Sequence, residues 1–210
     1  MKKSDMNRVS IHYGKKARHY DHRWSAYLHV TLGEALSGLH LSGTERVLDV
    51  GCGTGELERM AIEKFPQIAI VGVDMTAAML ERAREKMAAF PRIRFETGEA
   101  EALPFEVQSY DVVILANVFH HVRHPETVLA ECTRVLRSGG KLVLVDWCMD
   151  FWFQRWMHYW HQRTNPTYVK TYRVAEAGER LRQAGFVVEE THRFIAPPLY
   201  GMMRLRARKI

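Results

Sequence analysis

The stretch Val47-Leu48-Asp49-Val50-Gly51-Cys52-Gly53-Thr54-Gly55-Glu56 decides the fold: a β-prone apolar run turns through three alternating glycines and enters a helical segment. Glycine suits such a turn because the backbone must take positive φ and let a ligand reach the main chain. A strand, a glycine-rich turn and a helix, in that order, place a nucleotide-type ligand at the carboxyl edge of a parallel sheet. Two phosphate-binding loops are excluded. A dinucleotide fingerprint needs a glycine where Glu56 stands, and a triphosphate loop needs a Gly-Lys-Ser/Thr that is absent. Asp49 ends the strand and Glu56 opens the helix, so the turn favours a cationic or zwitterionic ligand over a pyrophosphate.

Outward from this turn, short apolar runs alternate with helical stretches. Strands are expected at 46–50, 69–73, 93–96, 111–116 and 141–145, with helices at 56–64, 77–87 and 125–136. Nearly all-apolar strands belong to a parallel sheet covered on both faces, so the fold class is α/β, doubly wound. Thr76 is placed to cap the helix after it, and Ser138-Gly139-Gly140 stops the one that ends near Arg137. A helix over about 174–184 ends at Gly185, and 186–194 and 200–207 read as two final strands.

Between them lies an aromatic segment with Trp147, Trp152, Trp156 and Trp160. Wound at about 100° per residue, it gathers Trp152, Phe153, Trp156, Met157, Tyr159 and Trp160 on one face. His158 and His161 fall on the other, which is expected to meet water. The aromatic face has three readings: an acceptor pocket for an apolar or aromatic molecule, a membrane-interface surface, or core.

The chain has 210 residues, 47% hydrophobic and 26% charged, which fits one globular domain that buries a core without disulfides or metal. Cys52, Cys132 and Cys148 form no C-x-x-C pair, and with no secretory leader the expected setting is reducing and cytoplasmic. No apolar run approaches the ~20 residues of a membrane span. The net charge is +6, but it sits at the ends: residues 1–24 carry +5 and residues 193–210 another +5, leaving 25–192 at −4. A surface that binds nucleic acid along its length carries its excess in the body, so a polyanionic partner is not expected.

Five segments in order carry a resemblance: Val47 to Gly55; Val71-Gly72-Val73-Asp74-Met75; Gly98-Glu99-Ala100-Glu101-Ala102-Leu103-Pro104-Phe105; Tyr110-Asp111-Val112-Val113 leading to His120-His121-Val122; and Arg134-Val135-Leu136-Arg137-Ser138-Gly139-Gly140. Together they resemble the class I S-adenosylmethionine-dependent methyltransferases, in the small-molecule branch of ubiquinone and menaquinone biosynthesis. The resemblance implies a Rossmann-like, seven-stranded, mostly parallel sheet with an antiparallel last strand and helices on both faces. It divides the single domain into a helical cover (1–44), a cofactor-binding core (45–146), an aromatic insertion or lid (147–171), and a C-terminal helix and strand pair (172–210).

It also implies S-adenosylmethionine as cofactor and S-adenosylhomocysteine as product. Asp49 and the loop Gly51-Cys52-Gly53 with Gly55 would hold the methionine part. Asp74 would accept the two ribose hydroxyls, Met75 would pack on adenine, and Glu99 and the Ala100 N–H would meet the adenine edge. Asn117 would approach the ammonium through its carbonyl. Tyr13, Ala17, Tyr20 and Trp24 share one helical face, and Tyr20 is expected to border the cofactor. His120 and His121 are the candidate catalytic residues, with Trp152, Trp156, Tyr159 and Trp160 as candidate acceptor contacts. No metal is expected, because Asn117 stands where a metal-dependent site places a carboxylate. The leading function is methyl transfer to a small apolar or aromatic acceptor by in-line displacement. The alternatives are methylation of RNA or protein, the former lacking its Asn/Asp-Pro-Pro-Tyr/Phe/Trp motif at 117–120, and a non-catalytic cofactor binder. Oligomeric state is left open.

Overall fold

Apolar β-branched residues that cannot all face one way are what make β1 (Arg46–Val50) a central strand. Val47 joins the core on one side of the sheet and Leu48 and Val50 the core on the other. The computed structural model describes residues 3–210, with side chains from Val9 onward. The basic residue Lys2 and the side chains of Lys3 and Arg8 therefore lie outside the described residues.

The elements run α1 (Lys3–Gly14), α2 (Tyr20–Leu36), β1, α3 (Glu56–Lys64), β2 (Ala69–Asp74), α4 (Ala77–Lys86), β3 (Ile93–Thr97), β4 (Tyr110–Ala116), α5 (Pro125–Val135), β5 (Leu136–Trp147), α6 (Gln154–Thr164), α7 (Val174–Gln183), β6 (Phe186–Ala196) and β7 (Tyr200–Lys209). The seven-stranded sheet has the order β3-β2-β1-β4-β5-β7-β6. β1 to β5 pair in parallel, and β7 runs antiparallel to both β5 and β6. Leu28 and Leu32 of α2, Leu57 of α3 and Leu80 of α4 pack on one face; Leu129 of α5 and Leu181 of α7 pack on the other. This is the doubly wound α/β architecture, and its strand order reverses between β1 and β4, where a crevice opens at the carboxyl ends.

Three local expectations are corrected. Tyr13 and Tyr20 do not share one helix: α1 ends at Gly14, a short 3₁₀ turn spans Ala17–His19, and α2 starts at Tyr20. Thr76 stands at the N-cap of α4 but its side chain makes no capping bond; its backbone N–H instead donates to Asp74 Oδ1 at 2.7 Å. The Ser138-Gly139-Gly140 turn does not separate helix from strand, because β5 already begins at Leu136 with Gly139 at φ 74° inside it.

Candidate active site

A main cavity and a small side chamber at the crevice grow from the β1 turn. The first is lined by Gly51, Gly53, Asp74, Met75, Glu99 and Ala100, together with Tyr20 and Asn117. Asp49 and Cys52 line a small chamber beside it that shares Gly51, Gly53, Tyr20 and Asn117. Gly55 lies in neither wall: it caps α3 at φ 74°, and a Cβ there would sit 3.0 Å from Ala83 and Phe95, so its role is packing against α4 and β3.

The electrostatics of this cleft suit a cation. Asp49 is buried, and burial, with the charge of Asp74, pushes its carboxyl up to about 8. Asp74 is also raised by burial, partly offset by bonds from the Thr76 and Gly53 N–H groups, the latter at 3.1 Å to Oδ2. Two desolvated acids, to which no arginine or lysine among the described residues is bonded, give a positive ligand what it needs. Gly53 supplies the room, since no atom of the described residues lies within 4 Å of where its Cβ would be. A sulfonium cofactor carrying a ribose therefore fits the residues present. Glu56 departs from the sequence reading. Burial raises it, but bonds from Arg59 and Lys86 outweigh that and hold it below the usual carboxylate range, at the wall of the small chamber.

Asn117 follows β4 in the left-handed region, φ 61°. Its side chain is committed to α2: Oδ1 accepts from Tyr27 O–H at 2.8 Å and Nδ2 donates to Thr31 Oγ1 at 2.9 Å. The N-terminal helices are latched over the turn, where Thr54 donates to Asp21 at 2.5 Å and Lys86 bridges Asp21 and Glu56 at 2.7 and 2.9 Å.

A second cavity adjoins the first, sharing Tyr13, Tyr20 and Asn117 as its wall. It is aromatic, with Trp24, Tyr27, Trp147 and Tyr200, and it contains His120 and His161. His120 stacks on Trp147 (ring centroids 4.0 Å apart, 11° between planes), and His161 stacks on the same indole at 4.5 Å. His120 Nδ1 faces Asp146 Oδ1 at 2.7 Å, both residues buried. An ionised carboxylate only accepts, so Nδ1 carries the proton and Nε2 remains the basic nitrogen. Asp146 is held in turn by the backbone N–H groups of Trp147 (2.6 Å) and His120 (3.2 Å).

The two neighbouring histidines differ. His121 donates Nδ1–H to the Thr167 carbonyl at 2.8 Å and accepts from Tyr13 O–H on Nε2 at 2.6 Å. Burial, then His120, holds it well below the usual histidine range, so it is a neutral bridge between the cover and the segment after α6. His161 was expected to face water. Instead its Nε2 is buried without a hydrogen-bond partner, and burial lowers it to about 4.

α6 is turned the opposite way from the expected acceptor face. Trp152 (76%), Trp156 (75%), Tyr159 (59%) and Trp160 (67%) are exposed and line neither cavity. The inward face is Gln154, Met157, His158 and His161, with Gln154 accepting from Gly201 N–H at 3.1 Å and His158 bonded to the Tyr168 hydroxyl at 2.5 Å. Sequence reasoning missed Tyr27, Trp147 and Tyr200 as cavity walls and Asp146 as the partner of His120. The legible signal for the last was an acid near the end of β5, after a histidine that follows β4. Among the described residues, no group of three or more His, Cys, Asp or Glu side chains could hold a metal ion.

Comparison with known proteins agrees with this geometry. Residues 47–140 match the family model described as a methyltransferase domain. The chain is 44% identical over 102 residues to a demethylmenaquinone methyltransferase of Deinococcus radiodurans, covering 48% of this chain and 42% of that protein. It is 32% identical over 169 residues to the 27-O-demethylrifamycin SV methyltransferase of Amycolatopsis mediterranei, covering 71% and 61%. The chain thus spans about half the length of the curated relatives it matches. Among solved structures, the methyltransferase complexed with the Trm112 methyltransferase activator of Haloferax volcanii superposes with a TM-score of 0.80 at 20% identity, covering 90% of this chain and 92% of that one. Over residues 47–140 the chain is thus similar to a methyltransferase domain, and it resembles the enzymes of ubiquinone and menaquinone biosynthesis.

Proposed function

We propose that the chain methylates a hydroxyl group on a small aromatic or apolar acceptor, with His120 as the base. The observation that carries this reading is the buried His120–Asp146 pair in the wall of an aromatic cavity that adjoins the cofactor cleft. S-adenosylmethionine, when bound, supplies an electrophilic methyl group on a sulfonium. The chain's own task is then mainly positioning, worth about 7–11 kcal/mol when the acceptor is held in line and water excluded.

Asp49 and the amides of the Gly51–Gly53 turn would hold the methionine part, Asp74 the ribose, and Met75, Glu99 and Ala100 the adenine. Tyr20, which borders both cavities, would close over the cofactor. Trp147, Tyr27 and Tyr200 give an acceptor ring flat apolar walls. The unpartnered Nε2 of His161 offers it a hydrogen bond. A phenol is a poor nucleophile until it loses its proton, and His120 Nε2 would take that proton as the methyl moves. Asp146 fixes the tautomer and stabilises the imidazolium.

Mass spectrometry after incubation with the cofactor and a panel of phenols, hydroquinones and aliphatic alcohols tests this. An O-methylated product is expected, with His120→Ala and Asp146→Asn each lowering turnover by about 10²–10⁴-fold while cofactor affinity is retained. Failure to bind S-adenosylmethionine or S-adenosylhomocysteine by calorimetry, or a product methylated on carbon or nitrogen, overturns it.

A further inference from the structure

Large aromatic side chains rarely stand in water, because each leaves apolar area unburied that a fold would otherwise use. α6 and the turn before it hold four of them out. Trp152, Trp156 and Trp160 recur every fourth residue, Tyr159 lies beside them, and all four are more than half exposed. Arg155 and Arg163 are exposed in the same stripe. Nearby, Leu199 is 51% exposed in the turn between β6 and β7, which is tied to α6 by the bond from Gly201 to Gln154. Residues 151–175 contain no acid, and of their four cations Arg173 pairs with Asp150 and Lys170 with Glu176, which leaves Arg155 and Arg163 as the charges of this face.

We propose that the outward face of α6 docks the protein on the surface of an anionic lipid bilayer. Three features select a bilayer over other occupants. Indole and phenol rings are the side chains that settle at the headgroup level, with apolar bodies inward and N–H or O–H groups toward water. Arginines in the same stripe meet lipid phosphates, and no acidic residue lies within the helix itself to repel an anionic surface. A second copy of the chain is disfavoured, since a two-fold interface would set Arg155 and Arg163 against their own counterparts. No helix among the described residues is long and apolar enough to cross a membrane, so the contact is peripheral. The inference is independent of the acceptor and needs neither cofactor nor acceptor present.

Sedimentation of the full chain with vesicles tests it, using phosphatidylcholine alone and phosphatidylcholine containing phosphatidylglycerol. Binding is expected to the mixed vesicles, with a blue shift of indole emission. The double variant Trp156→Ser/Trp160→Ser is expected to lose at least about tenfold in apparent affinity, and Arg155→Glu/Arg163→Glu to lose the preference for phosphatidylglycerol. Both pairs are exposed, so unchanged thermal midpoints should show that the fold is kept. No sedimentation with mixed vesicles, equal binding by the tryptophan variant, or a concentration-dependent dimer dispersed by that variant would each overturn the proposal.

Discussion

Gly51 and Gly53 lie two residues apart, and both take positive φ, yet their surroundings differ. A Cβ on Gly51 would sit 2.2 Å from Val118, whereas one on Gly53 would meet no atom of the described residues. Gly51→Ala is therefore expected to lower the thermal midpoint by several degrees. Gly53→Ala is expected to lose only the left-handed preference, about 1–2 kcal/mol, but to put a methyl group into the cleft and weaken S-adenosylmethionine binding more than tenfold. Calorimetry beside thermal denaturation separates the two effects.

Glu58 is the other residue whose behaviour follows from one neighbour. It is fully buried with neither oxygen bonded, and its carboxyl fills the space where Gly72 has no side chain, near Cys52 Sγ. Burial, then Asp49, raises it well above the usual range; Lys86 lowers it weakly and Asp74 adds to the rise. Both Glu58 and Asp49 thus keep protons in the folded chain that the unfolded chain has released. From near the ordinary carboxylate values of 3.8 and 4.5 up to about pH 8, stability falls as pH rises. Glu58→Gln removes one of these protons, so its gain in thermal midpoint over the parent is expected to grow from pH 5 to pH 8. A cation beside Asp49 favours its ionised form, so S-adenosylmethionine affinity is expected to increase over the same range. The roles open to Asp49 and the glycines were legible in the sequence because turn, strand end and helix start are contiguous. Glu58 was not, because Glu56-Leu57-Glu58 reads as acids favouring a helix N-terminus, and the hole that receives the side chain belongs to the neighbouring strand.

At the scale of elements, strands and helices were legible almost to the residue from β1 to β4, where periodicity and glycines mark every boundary. α6 was legible as an amphipathic helix, but its orientation was not. Hydrophobicity alone turns the tryptophans inward. What turns the other face in is a stack built from three distant parts of the chain: Trp147 at the end of β5, Tyr200 at the start of β7, and His161 itself. Tyr27 of α2 locks the stack by accepting from the Trp147 indole N–H at 2.9 Å. The latch from Asp21 to Thr54 and Lys86 holds α2 over the glycine turn in the same way. Asp21→Ala is expected to weaken cofactor binding several-fold and to speed hydrogen exchange in the first turns of α2. An unchanged exchange pattern would mean that packing alone fixes the helix.

Across the whole molecule, the basic C-terminal strand reads differently once paired. Arg204 bonds to Glu34 and Glu190, Arg206 to Glu190 at 2.6 Å, and Arg208 to Glu189 at 2.7 Å, while Lys209 donates to the Thr133 and Leu136 carbonyls. The acids that give the body of the chain its slight negative charge are thus partly spent along β6, opposite these bases. RNA is accordingly expected to bind only at non-specific strength, about 10⁻⁴–10⁻⁶ M at physiological salt, and to be displaced by modest salt in a filter-binding titration. A sequence shows the net charge of a segment but not which strand will lie beside it.

The wall between the two cavities has a kinetic meaning. Tyr13, Tyr20 and Asn117 face both sides, so a molecule that settles in the first cavity sets the contour of the second. Under the proposed function an ordered arrival is expected: the methyl donor first, the acceptor second, with the demethylated donor leaving last. Initial rates should show S-adenosylhomocysteine competing with S-adenosylmethionine but not with the acceptor. In Tyr13→Phe, which loses the hydroxyl that bridges to His121, that strict order should relax toward random entry.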